Sequence, residues 1–231
     1  MRAVPSGPRL LAPRQAVVEH VLEIEAPSIA HHSLRSYFFA LKVAEFRRLG
    51  RDVDYDDDAL FFAAVLHDLG LSDQGEARPD RFEVAGADMA AEFLARHGVP
   101  SEVRDVVWHA IALHTSPGIT QRRSIVCDLA SAGTGADLGY ESGFVSDDQA
   151  AVINEAFPRL DINTAIGRLI RRTGRAQPRR QGAASVGRGL FLPFRSRVRH
   201  EFRVPVGRGL SLRDRQDISW LERIPRPGDS I

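Results

Sequence analysis

The sequence predicts an all-α fold, and three observations carry that expectation. From 28 to 49 the apolar residues Ala30, Leu34, Tyr37, Leu41 and Ala44 recur at three- and four-residue spacing, the period of a helix with one buried face. Eight consecutive apolar residues, Ala59 to Leu66, stand between the carboxylates Asp56 to Asp58 and Gly70, which reads as a core helix with a cap before it and a stop behind it. Between Pro27 and Arg172 no segment asks for a sheet.

Taken in order, the first helix should span Ser28 to Leu49, closed by Gly50, and the second Ala59 to Leu69, closed by Gly70. A third is predicted from Arg81 to Arg96, ahead of His97-Gly98, and a fourth from Ser101 to His114 with Ser101 as its cap. Thr115 to Gly118 is then a loop. A fifth helix should run from Gln121 to Leu138, although Gly133 and Gly135 weaken its last turns. Ser146 and Gln149 form a capping box for a sixth, and Asp161 can cap a seventh through Arg171.

Composition narrows the class. With 231 residues, 43% hydrophobic and 26% charged, the chain can bury one sizeable core and is neither fibrous nor collagenous. Its longest apolar run is far short of the roughly 18 residues a membrane span needs, and the N-terminus has no hydrophobic signal core, so a cytoplasmic address without membrane contact is expected. The single cysteine, Cys127, cannot form an internal disulfide or a thiolate cluster. Any metal site must therefore be built from carboxylates and the eight histidines.

The overall charge of +1 conceals a break in the chain. Up to Arg172 there are 18 basic and 25 acidic residues, a net of −7, whereas from Thr173 onward 13 basic and 5 acidic residues give +8. Three segments follow: 1–27 as an N-terminal stretch, 28–172 as the helical body, and 173–231 as a basic, poorly ordered tail rich in Arg, Gly and Pro. Within the tail Val186-Gly187-Arg188-Gly189-Leu190 recurs as Val206-Gly207-Arg208-Gly209-Leu210, too short and too few to make a solenoid. Nucleic-acid binding through this tail is disfavoured, because the body is acidic and no recognised binding module accompanies it.

His67-Asp68 is the most informative pair, because it directly follows the core run. An imidazole and an ionised carboxylate buried there are costly unless each finds a partner, and a divalent cation satisfies both. A structural ion pair, or a histidine favoured by the helix C-terminus, is the competing explanation. His31-His32-Ser33 ahead and Glu83, His109, His114 and Asp137 behind all lie near element ends.

The order of a helix-borne His, then "AAVLHDLG", then a later Asp resembles the HD-domain superfamily of metal-dependent phosphohydrolases, an all-helical family. More narrowly, "HHSLRSYFFA", "FFAAVLHDLG", "RFEVAGADMAAEFL" and "WHAIALHTSPGI" look like its cyanamide hydratase-like branch. The resemblance covers 28–140 and implies an HD-domain helical bundle with an irregular C-terminal extension. It also implies metal ligands at His32, His67, Asp68 and Asp137, with His32 preferred over His31 and Asp137 over Asp128. His114 and Glu83 are the candidates for proton transfer or substrate contact, and Arg35, one turn from His32, for binding an anion. His109 is left to packing or the surface.

Two imidazoles and two carboxylates suit one divalent ion, Zn first and Fe or Mn next. The function implied is metal-dependent hydrolysis of a small-molecule substrate by activated water, with a phosphate ester placed first. Hydration of a nitrile such as cyanamide is the alternative, and a non-catalytic regulatory module or nucleic-acid partner a third. A homodimer stays open.

Overall fold

The structure, a computed structural model, describes residues 10–140, 143 and 145–176. The tail lies outside the described residues from 177 on, including its repeated pentapeptide and the poor order expected of it. The described residues form α1 (Leu11–Ile24), α2 (Pro27–Phe46), α3 (Asp57–Leu66), a 3-10 turn (Leu69–Leu71), α4 (Asp73–Glu76), α5 (Phe82–Arg96), α6 (Ser101–Leu113), α7 (Thr120–Arg123), α8 (Ile125–Asp137), α9 (Asp147–Ala156) and α10 (Ile162–Ala176). Among them there is no strand, only an isolated bridge between Arg51 and Tyr55. The fold is all-α, as predicted.

α3 is the centre of the bundle. Asp56 accepts a hydrogen bond from the Ala59 amide as its N-cap, every residue of the apolar run is buried, and α1, α2, α6 and α8 all pack against it. The helix ends earlier than expected, at Leu66, leaving His67 at its C-cap and Asp68 leading into the 3-10 turn.

Gly70 does not cap that helix; it permits a close approach. A Cβ there would collide with the carbonyl oxygen of Phe82, and one on Gly86 would stand 2.9 Å from the Gly70 amide nitrogen. The first turn of α5, carrying Glu83, thus lies directly on the turn that carries Asp68.

A second close approach joins α2 and α8. A Cβ on Gly133 would collide with the Ser36 carbonyl oxygen and sit 2.7 Å from the Ala40 Cβ. One turn forward along α8 and one turn back along α2, Asp137 meets His32. The glycine that weakens helix propensity is what allows the two helices to touch.

Several boundaries differ from the sequence prediction for local reasons. Gly50 does not end α2: the helix stops at Phe46, and Arg48 takes the left-handed conformation (φ 58°), with the Leu49 amide donating to Ala44 at 2.9 Å and the Arg48 amide to Glu45 at 3.0 Å. Ser101 does not cap α6, whose N-cap is Pro100. The predicted helix 121–138 is broken at Ser124, where extended backbone lets the side chain accept from the Cys127 amide at 3.1 Å and begin α8 anew. At the other end of α8, Gly139 (φ 90°) closes the helix just beyond Asp137. The capping box of Ser146 and Gln149 is present, and α10 runs past the expected boundary at 172 to Ala176.

The segment 1–27 is not a featureless lead-in, since α1 lies within it. Val17, Val18 and Val21 enter the core, and Arg14 pairs with Asp57 at 2.8 Å and Asp58 at 2.5 Å while its guanidinium lies over the Phe61 ring. The valine spacing was its sequence signal; the carboxylate partners of Arg14 lie more than forty residues away, beyond any local pattern.

Gly70→Ala should cost about 2–3 kcal/mol, because backbone on both sides must move to admit one methyl group. Denaturant unfolding measures this; a loss within a few tenths of a kcal/mol would contradict the packing described.

Candidate metal centre

Three helical segments deliver three unsatisfied atoms to one point. His32 comes from the second turn of α2, His67 from the C-cap of α3 and Asp68 from the residue after it. All three side chains are buried, and His32 Nε2, His67 Nε2 and Asp68 Oδ2 have no hydrogen-bond partner. Asp68 Oδ2 lies 3.2 Å from His67 Nε2 and 3.8 Å from His32 Nε2, and one atom from each residue falls within 4.8 Å of the others. Asp68 follows His67 directly at the end of α3, and the two adjacent side chains bring these atoms together.

Both imidazoles are held in the tautomer that coordination requires. His67 Nδ1 lies 2.8 Å from the Ala64 carbonyl oxygen, which can only accept, so Nδ1 carries the proton and Nε2 the lone pair. His32 Nδ1 donates to Asp137 Oδ2 at 2.6 Å, with the same result. Hydrogen-bonded outer partners that fix the ring and its tautomer are the usual support of a metal-binding histidine.

Asp137, expected as a fourth ligand, is not among the converging atoms. Its carboxylate accepts from Arg35 Nε at 2.7 Å and Arg35 Nη2 at 2.8 Å, and Arg159 Nη1 adds a contact at 3.0 Å. Arg35, expected to meet a substrate anion, is fully buried in this ion pair, and its Nη1 donates to the Phe157 and Pro158 carbonyls. The two residues therefore serve His32 from behind. Arg159 was missed at the sequence level, since its contact joins the α9–α10 connection to the end of α8.

The rivals among the histidines and aspartates point elsewhere. His31 Nδ1 is 3.0 Å from the Pro158 carbonyl oxygen, Asp128 pairs with Arg47 at 2.7 Å, and His109 sits beside Asp105 on α6.

His114, the C-cap of α6, faces the cluster. Its ring centroid is 5.0 Å from that of His67, and its Nδ1 donates to the Ile111 carbonyl at 2.7 Å, leaving Nε2 as the nitrogen that can take a proton. Glu83 is buried but engaged: Oε1 accepts from Arg81 Nη2 and the Thr115 hydroxyl, each at 2.6 Å. That places Glu83 as an anchor of the loop after His114.

Burial and charge set the protonation states. Burial, helped by the neighbouring His67, lowers His114 to about 4, so it is neutral at pH 7. Burial also lowers His32, against the pull of Asp137, whereas at His67 the nearby negative charge of Asp68 outweighs burial and raises it. Burial alone would raise Asp68 and Asp137; the histidines around Asp68, and His32 with Arg35 around Asp137, hold both well below the ordinary carboxylate range. Glu83 is lowered because its bonds to Arg81 and Thr115 outweigh burial.

Buried, unpartnered and two parts imidazole to one part carboxylate, these donors fit a divalent cation. The all-helical fold is that of an HD domain. The HD domain family model matches residues 29–156, more than half of the chain, and the protein belongs to that family. Among curated proteins it is similar to the cyanamide hydratases DDI2 and DDI3 of Saccharomyces cerevisiae, 29% identical to each over 143 residues. Those matches span 60% of this chain and 61% of each relative's length. No helix among the described residues is long and apolar enough to cross a membrane.

Asp137→Asn should weaken metal binding about 10- to 100-fold, since the His32 ring loses its charged acceptor. The same substitution tests the pH dependence of folding. A depressed carboxyl contributes stability that is fully present above its unfolded value of about 4 and is lost as the pH falls through the lower folded value. The melting temperature of the wild type should therefore fall more steeply below pH 4 than that of Asp137→Asn; parallel curves would contradict the ion-pair account.

Proposed function

We propose that this protein adds water to a small neutral substrate at a single divalent cation, zinc being the first candidate, and that the substrate is a nitrile of the cyanamide type. The observation that carries the reading is the convergence of three buried, unpartnered atoms, His32 Nε2, His67 Nε2 and Asp68 Oδ2. Three protein ligands and an open position are the pattern of a catalytic zinc site, whereas structural zinc is normally closed by four. A divalent cation bound there would supply a Lewis acid and bring the pKa of a bound water to about 7.

The remaining work falls to the chain. Asp137 and the Ala64 carbonyl hold the two imidazoles with Nε2 facing the centre. His114, neutral at pH 7, accepts the proton that the attacking water gives up as its oxygen bonds to the nitrile carbon. The nitrile nitrogen takes up protons in return, so cyanamide plus water gives urea. Glu83 holds Thr115, the residue next to His114, and so fixes the place of the base.

Support for a nitrile over a phosphate ester is electrostatic. A phosphomonoester dianion needs cationic contacts beside the metal. Arg35 and Arg159 are committed to Asp137, and Arg81 to Glu83. A neutral nitrile requires no such contacts. The similarity to cyanamide hydratases favours the same substrate class, over the part of their length that matches.

Zinc-loaded protein should release urea from cyanamide and little phosphate from phosphomonoesters; the reverse pattern would overturn the substrate assignment. His114→Ala should keep its metal and lose about 10²- to 10⁴-fold in kcat. Unchanged turnover would remove His114 from proton transfer, and a metal-free variant would make it a ligand instead.

A further inference from the structure

The connection between α9 and α10 is tied to the residues around His32 from two helices. On α2, His31 directly precedes His32, and its Nδ1 donates to the Pro158 carbonyl at 3.0 Å. One turn after His32, Arg35 divides its fork: Nε and Nη2 hold the Asp137 carboxylate, while Nη1 donates to the carbonyls of Phe157 at 2.9 Å and Pro158 at 3.2 Å. The Phe157 ring stacks on that of Phe38, a further turn along α2, with centroids 5.7 Å apart. Arg159 then reaches from the connection to α8, where its Nη1 donates to the main-chain oxygen of Asp137 at 2.8 Å and to its Oδ1 at 3.0 Å.

We infer that Phe157 to Arg159 form a clasp whose seating sets the metal affinity of the centre, with Arg159 as a positioning residue that acts through Asp137 on His32. The inference rests on the reading of a metal centre, and it is independent of the substrate. One nitrogen shared between the main-chain oxygen and a carboxylate oxygen of the same residue fixes that side chain against its own helix. With Oδ1 held by Arg159 and Arg35 Nε, Oδ2 is presented to His32 Nδ1 at 2.6 Å, the contact that orients the ring. Arg35 is fully buried, whereas the Arg159 side chain is 34% exposed, so Arg159 is the member of this ion pair that can exchange Asp137 for water. The backbone points the same way. Leu160 takes φ 48°, the left-handed region that favours glycine, and its side chain is 59% exposed, so burial does not offset the cost. Such a conformation persists where neighbouring contacts impose it, and those of His31, Arg35 and Arg159 immediately precede it. Seating and metal binding are then linked: a clasp that orients His32 for a cation is stabilised in turn when the cation binds.

The test uses the full-length protein with Zn²⁺ as probe, its affinity read by competition with a chromophoric chelator. R159A should bind Zn²⁺ about tenfold more weakly than wild type, and R159K, which keeps a cationic nitrogen for the two oxygens of Asp137, should recover most of that loss. Because Arg159 acts through Asp137, the double variant D137N/R159A should bind no more weakly than D137N alone. Unchanged affinity in R159A, no recovery in R159K, or additive losses in the double variant would each overturn the inference. A second measurement needs no substitution: in wild type, Zn²⁺ should slow amide hydrogen exchange in the peptide that carries 157–162, and exchange there that ignores the metal would also overturn it. Should wild type itself fail to bind Zn²⁺, the metal centre falls and the clasp with it; should wild type bind while R159A binds equally well, the clasp alone falls.

Discussion

Taking a carboxylate and imidazoles out of water costs several kcal/mol for each group that does not find a partner. In this bundle His32, His67 and Asp68 are all removed from solvent, yet the atoms they turn toward each other are the ones without hydrogen bonds. The opposite nitrogens of the two rings are satisfied, one by Asp137 and one by the Ala64 carbonyl. Such an arrangement spends its polar contacts on orientation and leaves the lone pairs aimed inward. A divalent cation is the partner that this donor set suits, and the architecture around it follows from the need to bring those groups together.

Two contacts between small residues meet that need. Gly133 lets α8 lie on α2, so that Asp137 reaches His32, and Gly70 lets α5 lie on the turn after α3, so that Glu83 stands close to His114. Behind Asp137, Arg35 supplies a buried counter-charge and Arg159 a half-buried one, and both favour the ionised carboxylate. The chemistry is therefore held by helix termini: the starts of α2 and α5 and the ends of α3, α6 and α8. Rigid elements fix these positions, while the break at each helix end frees the side chain to turn inward.

Much of this was legible in the chain. The apolar run that ends at His67-Asp68 announces a buried helix carrying polar groups it cannot satisfy alone, and the spacing of apolar residues gives most helices to within a few positions. What was not legible is tertiary. Arg35 reads as an anion contact one turn from His32, and only the approach of a helix about a hundred residues away makes it the partner of Asp137. Asp137 reads as a ligand because it is an aspartate in the expected order; the geometry places it one hydrogen bond further out. The end of α3 at Leu66, where eleven helical residues were expected, and the break at Ser124 are choices among capping arrangements that propensity does not resolve.

The central claim concerns which atoms meet a cation, and X-ray absorption spectroscopy of the zinc-loaded protein addresses it directly. The account predicts a first shell of nitrogen and oxygen, without sulfur, whose multiple-scattering signature corresponds to two imidazoles, falling to one in His67→Ala reloaded with the metal. A shell that contains sulfur, or an imidazole count unchanged by that substitution, would contradict it.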